Sequence, residues 1–454
     1  MTPEQRSVLN DIIGAALGAV APDRAVHRHV RRNDETLYIG DVPYDLAGYE
    51  RILVVGAGKG AAPMAHALEG VLGDRLDGGL VIVKYGHTMP LRRVRLREAA
   101  HPVPDAAGER AAHDVLDLVA QTTERDLVLC VLTGGASALT PALCDGISLD
   151  DMRTATRLLL ECGATIHEVN ALRKHVSAFG GGNLARRAAP ARTASLIISD
   201  VVGDDLDVIA SGPTAPDAST YADCHSIVTR YGIGTRLPAS IRRRLEDGLA
   251  GHAPETPKPG DPLFDHVQNR LVATNRQALE AAATAARARG YTPRILTDSM
   301  TGEARHKASE LVDEAFRTAD TFVCAEGPCC LLAGGETTVT LRGDGTGGRN
   351  QEMALAAAIA LDGADHIAML CLGTDGSDGP TDAAGGFASG LTLRTARERG
   401  LDPHRHLDDN NAYPFLEGTG CLLRTGPTLT NVMDITAVLV DAPHTMPMRP
   451  DGDA

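Results

Sequence analysis

The chain has 454 residues, a formal net charge of −15, 43% hydrophobic and only 3% aromatic residues, and no Trp. This length exceeds one ordinary core and predicts more than one domain. The acidic balance excludes a broad basic face for nucleic acid or an anionic membrane, although local basic pockets for small anions remain open. With few aromatics, the core must be built from Val, Leu, Ile and Ala, a composition that suits an α/β enzyme better than an aromatic binding platform.

No apolar run approaches the ~18 residues that would span a bilayer. The opening MTPEQRSVLNDIIGAALGAV lacks a basic segment leading into a signal-type core, so a cytoplasmic protein without membrane partners is expected. Nine cysteines, scattered singly apart from Cys329 and Cys330, read as reduced thiols.

In chain order, RILVVG (51–56), GLVIVK (79–84), DLVLCVLT (126–133) and ASLIISD (194–200) read as strands. GERAAHDVLDLVAQ (108–121) and DDMRTATRLLLECG (150–163) read as helices between them. Continuous apolarity, rather than alternation, predicts strands covered on both faces, hence an α/β fold with a parallel sheet. At 248–266, GLAGHAPETPKPGDPLFDH breaks the pattern with four prolines and three glycines, the best linker candidate. RLVAT (270–274), PRILTD (293–298), TFVCAEG (321–327) and HIAMLCLG (366–373) then read as strands of a second domain. DITAVLV (434–440) is a last strand and a candidate to rejoin the first sheet.

Four loops could carry chemistry. VVGAGKGAAPMAHAL (54–68) places Gly56, Gly58 and Ala61 in a loose dinucleotide spacing. The next strand ends at Lys84 instead of the acid that would hold a ribose, which weakens the dinucleotide reading. A phosphate loop of the Walker type also fails, because Gly60 follows Lys59 where a hydroxyl residue is required. A lysine at a glycine turn before a helix remains, suited to an anion, with a plain tight turn as the alternative.

The segment GGETTVTLRGDGTGGRNQEMALAAAIAL (334–361) carries a glycine loop into a helix that opens at Arg349, where an arginine fork would suit a phosphate or carboxylate. Six such flexible residues suggest close approach of a ligand, with a local hairpin as the alternative. LCLGTDGSDGPTDAAGG (370–386) sets Asp375, Asp378 and Asp382 after a buried strand, where magnesium–phosphate chemistry keeps its carboxylates. Asp200 similarly ends a buried run, and LTGGASAL (132–139) offers Gly134, Gly135 and Ser137 without the spacing of a serine-hydrolase elbow. His101, His167 and His175 show no metal-ligand spacing, and Arg173 and Lys174 read either as anion ligands or as a solvated face.

Taken in order, GAGKGAAPMA, AAHPVPDAAG, LTGGASAL, EVNALRKHVSAFGGGNLA, SDVVGDDLDVIASGPTAPD, GGETTVTLRGDGTGGRNQE, GTDGSDGPTDAAGG and TGPTLTNVMD resemble the class II glycerate 2-kinase family, which carries a C-terminal MOFRL domain. The resemblance implies two α/β domains. The first is a Rossmann-like parallel sheet flanked by helices over 1–250, followed by a linker at 251–267. The second spans 268–428 with the MOFRL region at about 330–432, strand 432–442 is the candidate to rejoin the first, and the active site lies in an interdomain cleft.

It also implies transfer of phosphate from ATP, with Mg2+, to the 2-hydroxyl of D-glycerate. Lys59 and Arg349 match the family's active-site pair. The cradle for ATP is expected at Gly56, Gly58, Gly134, Gly135, Ser137, Gly345, Gly347 and Gly348. Magnesium ligands are expected among Asp200, Asp375 and Asp378, one of which, or a histidine, takes the hydroxyl proton. No nucleic-acid partner is expected, and a homodimer is compatible with the family. The chain departs from the family's pattern at Leu429, where a glycine is usual, and at Phe179, where a lysine is usual. A related hydroxy-acid kinase, an NAD(P)H-dependent hydroxypyruvate reductase, a name some family members carry, and a non-catalytic ligand sensor are the rival readings.

Overall fold

The computed structural model describes residues 1–323 and 327–442 and divides them into two compact units. One comprises Ala21–Ala273 together with Leu429–Asn431; the other comprises Met1–Val20, Thr274–Thr428 and the chain from Val432.

The first unit opens with helix Pro22–His29, followed by a small antiparallel sheet of β1 (Val30–Asn33), β2 (Thr36–Ile39) and β3 (Val42–Asp45). Its main sheet contains β4 (Arg51–Ala57), β5 (Gly78–Lys84), β6 (Val94–Ala99), β7 (Asp126–Leu132), β8 (Arg192–Ile198) and β9 (Val267–Ala273). The six strands are parallel in the order β6-β5-β4-β7-β8-β9. That is the Rossmann order, with the direction of winding reversing between β4 and β7. The apolar runs predicted as strands are buried along almost their whole length, as covered faces require. β6 escapes sequence reading because, at the sheet edge, it alternates charged and apolar residues. Helices Leu149–Glu161, Ile166–Val176, Tyr221–Arg230 and Ala239–Leu249 close over a second core of this unit.

The second unit holds a six-stranded mixed sheet of β10 (Thr292–Met300), β11 (Cys329–Gly335), β12 (Ile367–Gly373), β13 (Gly385–Ser389), β14 (Leu422–Leu423) and β15 (Asp434–Val440). The order is β10-β11-β15-β12-β13-β14, parallel only between β10 and β11.

Three boundary expectations are corrected. β15 does not rejoin the first sheet: all seven of its residues are buried, and it pairs antiparallel with β11 on one side and β12 on the other. The RLVAT run belongs to β9 of the first sheet, so the change of unit comes at 273/274 and the proline-rich stretch is no linker. That stretch is tied into the first unit: Asp217 N donates to Pro257 O, Thr256 Oγ1 donates to Asp217 Oδ2, and Tyr221 N donates to Glu255 Oε1. The opening helix, Pro3–Ala19, packs instead on helix Asn275–Ala288 of the second unit.

The strand expected at 321–327 is not formed by its described residues. Ala319–Val323 form a helical turn, 324–326 lie outside the described residues, and the strand is β11, whose Cys-Cys-Leu-Leu-Ala-Gly-Gly carries no β-branched residue.

Glycine placement tests this architecture. At Gly56, where φ is +144°, an added Cβ would stand 1.9 Å from the Val131 carbonyl oxygen on β7, whereas at Gly14, exposed in the first helix, it would meet nothing within 4 Å. Gly56→Ala is expected to cost at least ~3 kcal/mol in urea unfolding through overpacking and backbone strain. Gly14→Ala is expected to stabilise by about 1 kcal/mol. Equal effects of the two substitutions would contradict the packing described.

Candidate active site

In the first unit the site forms where β4 and β7 end, at the reversal of strand order, the place where open α/β sheets hold ligands. Gly58 has φ +134°, and an added Cβ there would meet Thr133 Oγ1 at 2.0 Å. Absence of side chains thus lets the two strand ends close on each other. Gly60 N donates to Thr133 Oγ1 at 2.9 Å, and Lys59 N donates to Gly134 O at 3.0 Å. Helix Ala61–Leu72 follows with Gly60 as a cap that offers no side-chain acceptor.

Gly134 and Gly135 form a floor on which four side chains converge. A Cβ on Gly134 would lie 2.5 Å from Asp200 Oδ2 and 3.0 Å from Asn431 Nδ2. On Gly135, where φ is +88°, it would lie 3.0 Å from His101 Nε2 and 3.6 Å from Lys59 Cγ. The structure therefore brings together Lys59, Gly56, Gly58, Gly134, Gly135, Ser137 and Asp200. It adds His101, which had no ligand spacing in sequence, and Asn431.

The two departures from the family pattern separate here. Leu429 sits at φ +61°, the left-handed region that explains a glycine at that position and costs a leucine about 1–2 kcal/mol. Its carbonyl oxygen would be 2.6 Å from a Cβ on Gly60. Phe179 is a fully buried core residue.

In the second unit, helix Arg349–Ala360 begins beside the first residue of β15. Arg349 donates from Nε and Nη2 to the two carboxylate oxygens of buried Asp434, at 2.6 and 2.9 Å, and its Nη1 lies 3.0 Å from Glu336 Oε1. This bidentate geometry holds the guanidinium firmly protonated against the cost of its burial. Asn350 Nδ2 donates to Asp434 at 2.9 Å and to Asp378 at 3.3 Å. Asn275 fixes the strand end by donating to the Val432 and Asp434 carbonyls.

The helix N-terminus already has its anion. Asp378 accepts from Asn350 N at 3.1 Å and from Gln351 N at 2.8 Å, one carboxylate oxygen each. Burial, helped by the like charge of Asp434, raises its pKa to about 6 against the pull of these N–H groups and Arg349. Burial also pushes Asp434 up, opposed by Arg349 and Asn350. Asp375 lies in the same turn and accepts from Ser377 N and Oγ. Among the described residues no group of three or more His, Cys, Asp or Glu is disposed to hold a metal ion.

The glycine loop before Arg349 is ordered by packing within the unit. Gly343 and Gly345 lie so close to Asp409 that a Cβ on each would come within 2.2 and 2.3 Å of it, and one on Gly345 within 2.5 Å of Asn411. Arg342 N and Gly343 N donate to Asn410 Oδ1, and Thr346 N donates to Asn411 Oδ1. Asn410 in turn donates to buried Glu352, which also pairs with Arg305 at 2.8 Å. These contacts account for Gly343 and Gly345, and a Cβ on Gly348 would meet Asp378 at 2.3 Å. Even so, Gly345, Gly347, Gly348 and Arg349 line one open pocket of ≈ 740 Å³ with Val339 and Leu341. Asp382 is exposed and bound to Tyr413 and Arg424, away from this network.

Comparison with known proteins accords with both halves. The model of a domain of unknown function, DUF4147, matches residues 8–246, and the MOFRL family model matches residues 329–434. The chain is 40% identical to a Thermotoga maritima protein named D-glycerate 2-kinase, over 95% of this chain and 97% of that one. It is 39% identical to a Pyrococcus horikoshii protein named glycerate 2-kinase, over 94% and 96%. A crystal structure titled as glycerate kinase from Thermotoga maritima superposes with a TM-score of 0.84 at 37% identity, covering 97% of this chain and all of that one.

The raised Asp378 pKa makes a signed prediction. Its shift from 3.8 to about 6 means that the folded state keeps a proton the unfolded chain has released across that window. Stability therefore falls as pH rises through the window and levels above it, by about 3 kcal/mol in all. Asp378→Asn lacks this slope, so its unfolding free energy relative to wild type should improve by about that amount between pH 4 and 7. A difference independent of pH would contradict the assigned environment.

Proposed function

The chain belongs to the MOFRL-domain glycerate kinase family, and on that premise we propose that it transfers the γ-phosphoryl group of ATP to the 2-hydroxyl of D-glycerate. The products are 2-phosphoglycerate and ADP. The observation that carries this reading is the Lys59 side chain lying over a glycine floor beside His101 and Asp200, at the reversal point of a Rossmann-ordered sheet. Phosphoryl transfer asks a protein mainly for position and charge neutralisation, which a lysine on a rigid turn supplies.

Lys59 and Arg349 are the proposed catalytic cations. Arg349 enters the reaction with its fork already held by Asp434, so its orientation is set before substrate binds. The ≈ 740 Å³ pocket, with Gly345, Gly347 and Gly348 on its wall and Val339 and Leu341 offering apolar contact, is the proposed nucleotide site. Gly56, Gly58, Gly134, Gly135 and Ser137 shape the proposed site around Lys59 in the first unit.

Magnesium is proposed to arrive as MgATP, coordinated largely by phosphate oxygens and water, as this ion commonly is in kinases. Asp200 and Asp375 are the side chains that would add a carboxylate. Asp378, whose two oxygens accept from the helix, acts instead by positioning Arg349 and Asn350. His101 joins Asp200 as a candidate to take the hydroxyl proton.

With MgATP, ADP should form when D-glycerate is supplied and not without it. Lys59→Ala and Arg349→Ala should each lower kcat by about 10²-fold or more; Lys59→Ala should melt as the wild type does, and Arg349→Ala lower, because it leaves buried Asp434 without its cation. Absence of ADP, together with NADPH oxidation on adding hydroxypyruvate, would overturn the kinase reading in favour of the reductase. Near-normal turnover in both variants would remove the proposed pair.

A further inference from the structure

Arg173 and Lys174 are neighbours on helix Ile166–Val176, and consecutive helical side chains point about 100° apart. Lys174 is buried and paired: its ammonium lies 2.7 Å from Asp217 and 3.0 Å from Asp207. Arg173 is half-buried, and among the described residues its guanidinium has no hydrogen-bond or ion-pair partner. Burial lowers its pKa with no carboxylate nearby to oppose it. Partly withdrawing a guanidinium from water without a counter-charge carries a cost, and an anion bound there would offset it.

The space in front of Arg173 has the size and chemistry for such an anion. A pocket of ≈ 40 Å³ is lined by Arg173, Ser137, Ser177, Gly180, Ser211 and apolar neighbours. A water needs about 10–15 Å³ of such space, so the pocket admits a group of two or three heavy atoms and no nucleotide base. Ser137 Oγ and Ser211 Oγ lie 2.9 Å apart. Their mutual bond uses one of two hydroxyl protons and leaves the other to donate to a ligand. Ser177 is already engaged by Phe179 N and Gly180 N.

Backbone strain is concentrated at the same place. Ala210 and Ser211 both adopt left-handed conformations, at φ +55° and +61°, immediately before Gly212 at +58°. Two such non-glycine residues cost about 1–2 kcal/mol each, and strain of this kind gathers at ligand sites. It presents the Ser211 hydroxyl to Ser137. Ser137 in turn closes the loop whose Gly135 underlies the Lys59 side chain, so the pocket and the proposed phosphoryl-transfer site share one loop.

The geometry points to Arg173, with the Ser137–Ser211 hydroxyl pair, as the subsite that takes the carboxylate of the substrate. That the acid is D-glycerate rests on the proposed kinase activity; that the subsite takes a small carboxylate does not. A guanidinium fork and one hydroxyl donor match a planar carboxylate and discriminate against uncharged polyols.

The test uses the full chain and its Arg173→Ala, Arg173→Lys and Ser211→Ala variants. Calorimetry is performed with D-glycerate and, separately, with inorganic phosphate, both without nucleotide; steady-state kinetics follow. In Arg173→Ala the Kd and KM for D-glycerate should rise about 30-fold or more, as expected for loss of a charged hydrogen-bonding partner. The KM for ATP and the affinity for phosphate should change less than about twofold, because neither is bound through this pocket. Arg173→Lys and Ser211→Ala should weaken D-glycerate by smaller factors, and they decide the matter if Arg173→Ala does not fold. Unchanged D-glycerate binding in folded variants overturns the subsite, as does a loss confined to phosphate; no D-glycerate binding by the wild type overturns D-glycerate as its acid. Arg173-dependent binding without phosphorylation would leave the subsite standing and remove the kinase reading; turnover with an unaltered KM in Arg173→Ala would do the reverse.

Discussion

The arginine–aspartate pair at the start of β15 organises the second unit. Asp434 is the first residue of a strand flanked on both sides, and it is buried. From there it accepts from Nε and Nη2 of Arg349 and takes one amide proton of Asn350. A buried pair of this kind contributes little net stability, but losing one partner strands the other at a cost of about 3–5 kcal/mol. Its value is therefore placement. Helix Arg349–Ala360, the Asp378 turn and the glycine loop are fixed relative to one carboxylate, and with them the mouth of the pocket.

In the first unit the corresponding constraint is backbone meeting backbone. Gly56 and Gly58 leave room for Val131 and Thr133, and the turn that results delivers Lys59 over Gly135. No charged network is needed, since the lysine is aimed by strand ends that cannot separate without breaking the sheet. The two units thus reach prepared cations by different means. One uses a saturated ion pair and the other a glycine crossing.

Much of this was legible in the sequence, and the limits have physical reasons. Buried parallel strands announce themselves because both faces are covered and the apolar run is unbroken; β4, β5, β7 and β8 are of this kind. β11 did not, because small residues and cysteines suit a crowded strand only when its neighbours are known. Lys59 and Arg349 were legible from local chemistry, a cation at a glycine turn beside a helix. The reason for the glycines at 343 and 345 was not, because their neighbours Asp409 and Asn411 lie some 65 residues away. Asp434 was hidden for the same reason, as was the division between Arg173 and Lys174. Their sequence neighbourhood is identical, and only the fold gives carboxylates to one and none to the other.

Phosphoryl transfer to a secondary hydroxyl leaves its mark in the product's phosphorus–proton coupling. After incubation with ATP, magnesium and D-glycerate, a new phosphorus resonance split by the single proton on C2 is expected, as in 2-phosphoglycerate. Splitting by the two methylene protons of C3, or no new phosphomonoester, would contradict it.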